Sequence, residues 1–74
     1  KIYEFSNGDI YIGKIVNGKM DGIGTYNFVE GIEYIGEFKN DMKNGLGMCT
    51  FKSGNIYIGN FLEDTINGMG QMVK

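Results

Sequence analysis

The sequence predicts an all-β fold, a single-layer antiparallel β-meander of stacked hairpins with a 23-residue period. Three observations predict it. The stretch Tyr34-Ile35-Gly36-Glu37-Phe38, then Gly45-Leu46-Gly47, recurs one period earlier as Tyr11-Ile12-Gly13-Lys14-Ile15 and Gly22-Ile23-Gly24. It recurs one period later as Tyr57-Ile58-Gly59-Asn60-Phe61 and Gly68-Met69-Gly70. Twelve of the 13 glycines fall in four columns of this unit, Gly18 being the exception. Between the glycines, side chains alternate with the period of two that places successive residues on opposite faces of a strand.

The elements follow in order. Residues 1–5 alternate Ile2 and Glu4 against Tyr3 and Phe5 and read as a strand. Ser6-Asn7-Gly8-Asp9 is a turn, because Gly and Asn accept the positive φ of tight turns. Residues 10–16 are the second strand, and Asn17-Gly18 after them is a strong hairpin signal. The third strand is expected over 23–28, and Val29-Glu30-Gly31-Ile32 turns the chain into a strand over 33–39. Residues 40–44 are expected as a loop, 46–52 as a strand, and Lys52-Ser53-Gly54-Asn55 as a turn. Strands over 56–62 and 69–73, with a loop over 63–67 between them, complete seven strands and leave an unpaired edge at each side.

Period two assigns the faces. One face receives Tyr11, Gly13, Ile15, Tyr34, Gly36, Phe38, Tyr57, Gly59 and Phe61 from the first strand of each unit. From the second strand it receives Gly22, Gly24, Tyr26, Phe28, Gly45, Gly47, Cys49 and Phe51, and by the same register Gly68 and Gly70. Glycine weakens a strand interior, so its recurrence needs a cause. Bare main chain on which a ring from a neighbouring strand lies flat supplies one. A sheet built this way buries its aromatics against itself and needs no covering layer.

Composition narrows the function. A formal charge of −2, with no Arg among seven basic residues, excludes the clustered positive charge of a nucleic-acid footprint. There is no His, so no imidazole base or ligand exists for catalysis or a metal. The paired glycines Gly22-x-Gly24, Gly45-x-Gly47 and Gly68-x-Gly70 lack the Gly-Lys-Ser/Thr ending and the following helix of a phosphate loop. The single cysteine, Cys49, forms no internal disulfide, which fits a reducing compartment, and reads as a small apolar filler. Glu30, Glu33, Glu37, Asp41, Glu63 and Asp64 form no recurring carboxylate pair and read as a solvated surface. The expectation is a non-enzymatic chain with no metal, cofactor or small-molecule substrate.

The unit Tyr-Ile-Gly-x-Phe-x₆-Gly-x-Gly-x-x-x-Phe-x-x-Gly resembles the MORN (membrane occupation and recognition nexus) repeat. The resemblance covers the whole chain: a tail of one repeat over 1–10, repeats over 11–33 and 34–56, and a partial repeat over 57–74. Ile15 departs from the aromatic at Phe38 and Phe61, and Cys49 departs from the tyrosine at Tyr3 and Tyr26. Beginning at Lys1 inside a repeat, the chain reads as a piece of a longer array. The resemblance implies one long twisted sheet with a shallow aromatic groove. It also implies a docking module of larger cytoplasmic proteins at cytoskeletal structures or membranes.

The candidate site is therefore the aromatic groove of Tyr11, Tyr26, Phe28, Tyr34, Phe38, Phe51, Tyr57 and Phe61. Gly13, Gly22, Gly24, Gly36, Gly45, Gly47, Gly59, Gly68 and Gly70 are its structural glycines. An apolar face of this kind marks a binding surface, and seven strands spaced by roughly 4.8 Å span about 30 Å, enough for a peptide or a short helix. The leading expectation is a scaffolding module whose groove takes a protein partner or a second copy. The alternative is a phosphoinositide or acidic-membrane module contacting lipid through Lys14, Lys19, Lys39, Lys43 and Lys52.

Overall fold

The computed structural model describes residues 1–74. Its strands are β1 (Ile2–Glu4), β2 (Ile10–Val16), β3 (Lys19–Asn27), β4 (Glu33–Lys39), β5 (Met42–Thr50), β6 (Ile56–Leu62) and β7 (Thr65–Val73). They form one open sheet in the order β1-β2-β3-β4-β5-β6-β7, antiparallel throughout, as the sequence predicts. The sheet measures 33 × 22 × 15 Å.

The hairpin turns correct the expected boundaries. β5 begins at Met42 and β7 at Thr65, so the loops expected over 40–44 and 63–67 shrink to Asn40-Asp41 and Glu63-Asp64. β3 likewise begins at Lys19, not at 23, while β1 is trimmed to Ile2–Glu4. The cause is one turn used three times. Asn17, Gly18, Asn40, Asp41, Glu63 and Asp64 all have positive φ, between 48° and 77°, as a type I′ turn requires at both central residues. Such turns match the right-handed twist of the strands they join, so pairing starts at once. The other connections also repeat. The amide of Gly8, Gly31 or Gly54 donates to the carbonyl of Phe5, Phe28 or Phe51, with each glycine at positive φ.

Tight pairing beside the turn demands a compensating slip. Gly36 pairs with Gly47, but two residues on, Phe38 pairs with Lys43. The same slip separates Gly13 from Ile15 and Gly59 from Phe61. Extra residues on β3, β5 and β7 are absorbed at Gly22, Gly45 and Gly68, where φ is 87°, 102° and 72°. This corrects the face assignment at two glycines. A Cβ on Gly22 or Gly45 would point at Lys14 or Glu37, on the side away from the rings. The bulge rotates the chain, so strict alternation fails there. Beyond the bulge Phe38 pairs with Lys43 on β5, while its partner on β3 is Gly22.

The core is a chain of rings on one face of this single layer. Tyr11 meets Phe38 edge-on with ring centroids 5.3 Å apart, and Phe38 meets Tyr34 at 5.1 Å. Tyr34 then meets Phe61 at 5.0 Å, and Phe61 meets Tyr57 at 5.4 Å. All four contacts are near perpendicular, the geometry aromatic quadrupoles favour. Tyr11 lies on β2 and Phe38 on β4, so the rings meet across β3. They can do so because β3 presents bare backbone: a Cβ on Gly24 would stand 2.6 Å from Tyr11 Cε1. Each core tyrosine is also pinned by its hydroxyl, Tyr11 donating to the Lys14 carbonyl and Tyr34 to that of Glu37, both at 2.8 Å.

Candidate functional site

The eight groove aromatics divide by burial. Tyr11 and Tyr34 are wholly buried, and Tyr57, Phe38 and Phe61 are at most 6% exposed. Tyr26, Phe28 and Phe51 are half-buried. The five core rings cover one another through the edge-to-face chain, which leaves the other three as the more exposed ring surface.

Two cavities open on this face, in corresponding places of successive repeats. One, of about 150 Å³, is walled by Met20, Tyr26, Phe28 and Phe38, with Asp41, Lys43 and Asp64 at its polar side. The other, of about 330 Å³, is walled by Phe28, Ile32, Cys49, Phe51, Phe61 and Ile66. Lys43, Asp64 and Thr65 complete its lining. Five of the eight groove aromatics thus reach a cavity, whereas Tyr11, Tyr34 and Tyr57 line neither.

A period shift turns the first cavity into the second. Met20, Tyr26, Phe28, Phe38 and Asp41 become Lys43, Cys49, Phe51, Phe61 and Asp64. The difference in size has a visible origin. Tyr26 stacks on Phe5 with centroids 5.8 Å apart and tilts against Phe28 at 4.5 Å, filling the space between them. Cys49, in the same column, fills far less. Its thiol is buried, and desolvation pushes its pKa up despite the opposing pull of Lys43.

Polar groups at the site are few and satisfied. Lys43 Nζ lies 5.0 Å from the centre of the Phe28 ring and 5.6 Å from that of Tyr34, and 3.8 Å from Asp64 Oδ1. Ring faces and carboxylate together hold the ammonium between the two cavities. Just ahead of the first repeat, Asp9 is a buried carboxylate, accepting from the Tyr26 hydroxyl and the Val29 amide, both at 2.8 Å. The Val29 amide and Tyr26 hydroxyl bonds lower the Asp9 pKa, and burial with the Asp9 hydrogen bond pushes Tyr26 up to about 12.

Sequence reasoning missed Asp9, Ile32 and Ile66 as site neighbours, named Lys43 only as a lipid contact, and read Asp41 and Asp64 as solvated surface. Asp41 and Asp64 hold turns to the preceding repeat, accepting from the amides of Met20 and Lys43. The signal was present: the period carries the Asn17-Gly18 turn onto Asn40-Asp41 and Glu63-Asp64. The face opposite the rings carries an exposed aliphatic column, Ile23, Leu46 and Met69, at 68%, 61% and 85% exposure. No group of three or more Cys, Asp or Glu is placed to hold a metal ion.

A comparison with curated proteins returns no match. The family described as MORN repeat matches three consecutive stretches, residues 11–32, 34–56 and 57–74. These matches follow the same period as the rings, glycines and turns, and together they span most of the chain. On that combined ground, the chain belongs to the MORN repeat family.

Proposed function

We propose that this array is a non-catalytic scaffolding module whose ring-bearing face docks an apolar peptide or helix of a partner protein. The observation that carries the reading is the pair of adjoining cavities edged by half-buried Tyr26, Phe28 and Phe51. Rings that are only half covered lose further water when a partner arrives, and aromatic anchors dominate such interfaces. MORN repeats are in general protein- or membrane-interaction modules, which agrees with this reading. Service at a cytoplasmic membrane or cytoskeletal structure, by capturing a partner there, is part of the same proposal.

The acidic-membrane alternative has less behind it. The formal charge is −2, and Lys43, the lysine nearest the cavities, is engaged by Asp64. A second copy in the groove is the other occupant to be tested.

Selection from a displayed random-peptide library tests the proposal. The wild-type array is expected to enrich peptides that the Phe28→Ser/Phe51→Ser double variant no longer retains, with its strand spectrum unchanged. Equal retention by both proteins overturns the groove. So does salt-sensitive flotation with phosphatidylinositol-phosphate vesicles in the absence of peptide enrichment, which would transfer the function to lipid.

A further inference from the structure

We infer that the cavity beside Cys49 is a specificity pocket for one aromatic side chain without a hydroxyl, a phenylalanine ring of the docked partner. The inference rests on the groove reading above and names what its larger cavity accepts.

The array shows what fits, because one repeat is already filled. Where the first repeat places Tyr26 against Phe5 and Phe28, the second places Cys49 in a cavity that the corresponding Phe28 and Phe51 also line. The cavity there is about 330 Å³ against about 150 Å³ beside Tyr26. A ring entering it meets a lining of Phe28 and Phe51, with Phe61 and Ile32 as further wall. Burial of such a ring is among the larger single contributions to a protein interface.

Two features of the wall define the chemistry further. Tyr26 gives its hydroxyl to Asp9, and the residue in the Asp9 column of the next repeat is Ile32. A phenol posed there as Tyr26 is in its own repeat therefore meets aliphatic Ile32 in place of the Asp9 carboxylate and loses that charge-assisted hydrogen bond. The charge of the wall is also balanced, since Lys43 lies 3.8 Å from Asp64. An acidic or basic ligand group gains no free counter-charge, whereas an uncharged ring keeps the existing pair. The exposed Thr65 and Ile66 stand at the mouth, so entry from solvent is open.

The test uses toluene, the phenylalanine side chain as a free molecule, and p-cresol, its tyrosine counterpart. Titrated into the ¹⁵N-labelled array, toluene is expected to shift the amides of Cys49, Phe51 and Ile66 saturably, and p-cresol to bind more weakly. Cys49→Tyr supplies the missing ring from within and is expected to weaken toluene binding at least about tenfold, or 1.4 kcal/mol. Ile66→Trp, which blocks the mouth from an exposed position, serves as the second variant in case Cys49→Tyr fails to fold. Toluene shifts spread over Ile23, Leu46 and Met69, or equal affinity in wild type and both variants, overturn the pocket.

Library peptides separate this inference from the groove itself. Peptides enriched on the wild-type array are expected to carry a phenylalanine whose replacement by tyrosine weakens binding. If Cys49→Tyr retains the same peptides as wild type while Phe28→Ser/Phe51→Ser loses them, the groove stands and the pocket falls.

Discussion

Asp41 and Met20 exchange two hydrogen bonds across the junction of two repeats. The Asp41 amide donates to the Met20 carbonyl at 3.1 Å, and Asp41 Oδ1 accepts from the Met20 amide at 2.8 Å. Asp64 makes the same exchange with Lys43, at 3.0 and 2.8 Å. The second and third type I′ turns are thereby fastened to the hairpin before them. In a solenoid, stability depends on such nearest-neighbour terms, because repeats touch only their neighbours.

Replacing Asp41 separates the clamp from the turn. Asp41→Gly keeps the positive φ and removes the carboxylate, and is expected to lower stability by about 1 kcal/mol. Asp41→Asn keeps an acceptor and tolerates the same backbone, so it is expected to stay within about 0.5 kcal/mol of wild type. Urea midpoints of the two variants decide it, and identical midpoints would mean that the clamp contributes nothing.

Gly24→Ala is expected to cost about 3 kcal/mol, because a methyl there drives Tyr11 off the backbone it covers. Gly54→Ala is the control. Its Cβ meets nothing within 4 Å, so only the strain of a φ of 95° is added, about 1 kcal/mol. Thermal unfolding of both variants should rank them in that order.

Ile15 breaks the ring chain at the N-terminal end. Tyr34 and Tyr57 each meet a phenylalanine four residues on in the same strand, at 5.1 and 5.4 Å, and Tyr11 has only Ile15 there. Ile15→Phe is expected to add an edge-to-face contact worth about 0.5–1 kcal/mol. A urea midpoint below that of wild type would show that the space beside Tyr11 does not admit a ring.

Acid should loosen the first repeat first. The Val29 amide and the Tyr26 hydroxyl hold the Asp9 pKa below its ordinary value. Its contribution is therefore complete above the unfolded carboxyl value of about 3.9 and is lost as pH falls through the lower native value. Asp9→Asn keeps an acceptor without the titration. Its urea midpoint should vary less with pH below about 4 than that of wild type. Parallel pH profiles for the two proteins would place the titration elsewhere.

Alkali should act through the buried phenols. Burial first, then the nearby carboxylates of Asp9 and Glu37, raise Tyr26 and Tyr34 to about 12. With native values above the unfolded value of about 10, stability is full below that pH and falls as pH rises towards 12. Tyrosinate absorbance should show these two residues titrating last or together with unfolding. Complete titration by pH 10.5 with the sheet intact would contradict the burial assigned to them.

How far the fold was readable follows from what a period can carry. Tyr11, Tyr34 and Tyr57 lie one period apart with glycine two residues on, so ring-on-backbone packing follows from spacing alone. The Asn17-Gly18 turn was legible by its type, but Asn40-Asp41 and Glu63-Asp64 carry no glycine and were read as longer loops. The clamp explains why a carboxylate replaces glycine there, and its partner lies 21 residues away in sequence. Asp9 escaped notice because its columnar equivalents are Ile32 and Asn55, so no recurrence marked it.

The sequence by itself determined the repeat length, the seven antiparallel strands and, Gly22 and Gly45 apart, the residues of the ring-bearing layer. Those properties are local and periodic, and they survive without knowledge of any distant contact. Only the tertiary structure decided which rings stay partly exposed. That depends on the register slip at each glycine bulge and on rings meeting across an intervening strand. Tyr11 and Tyr34 are sealed by phenylalanines two strands away, while the space beside Cys49 stays open because one side chain of the repeating set is too small to fill it.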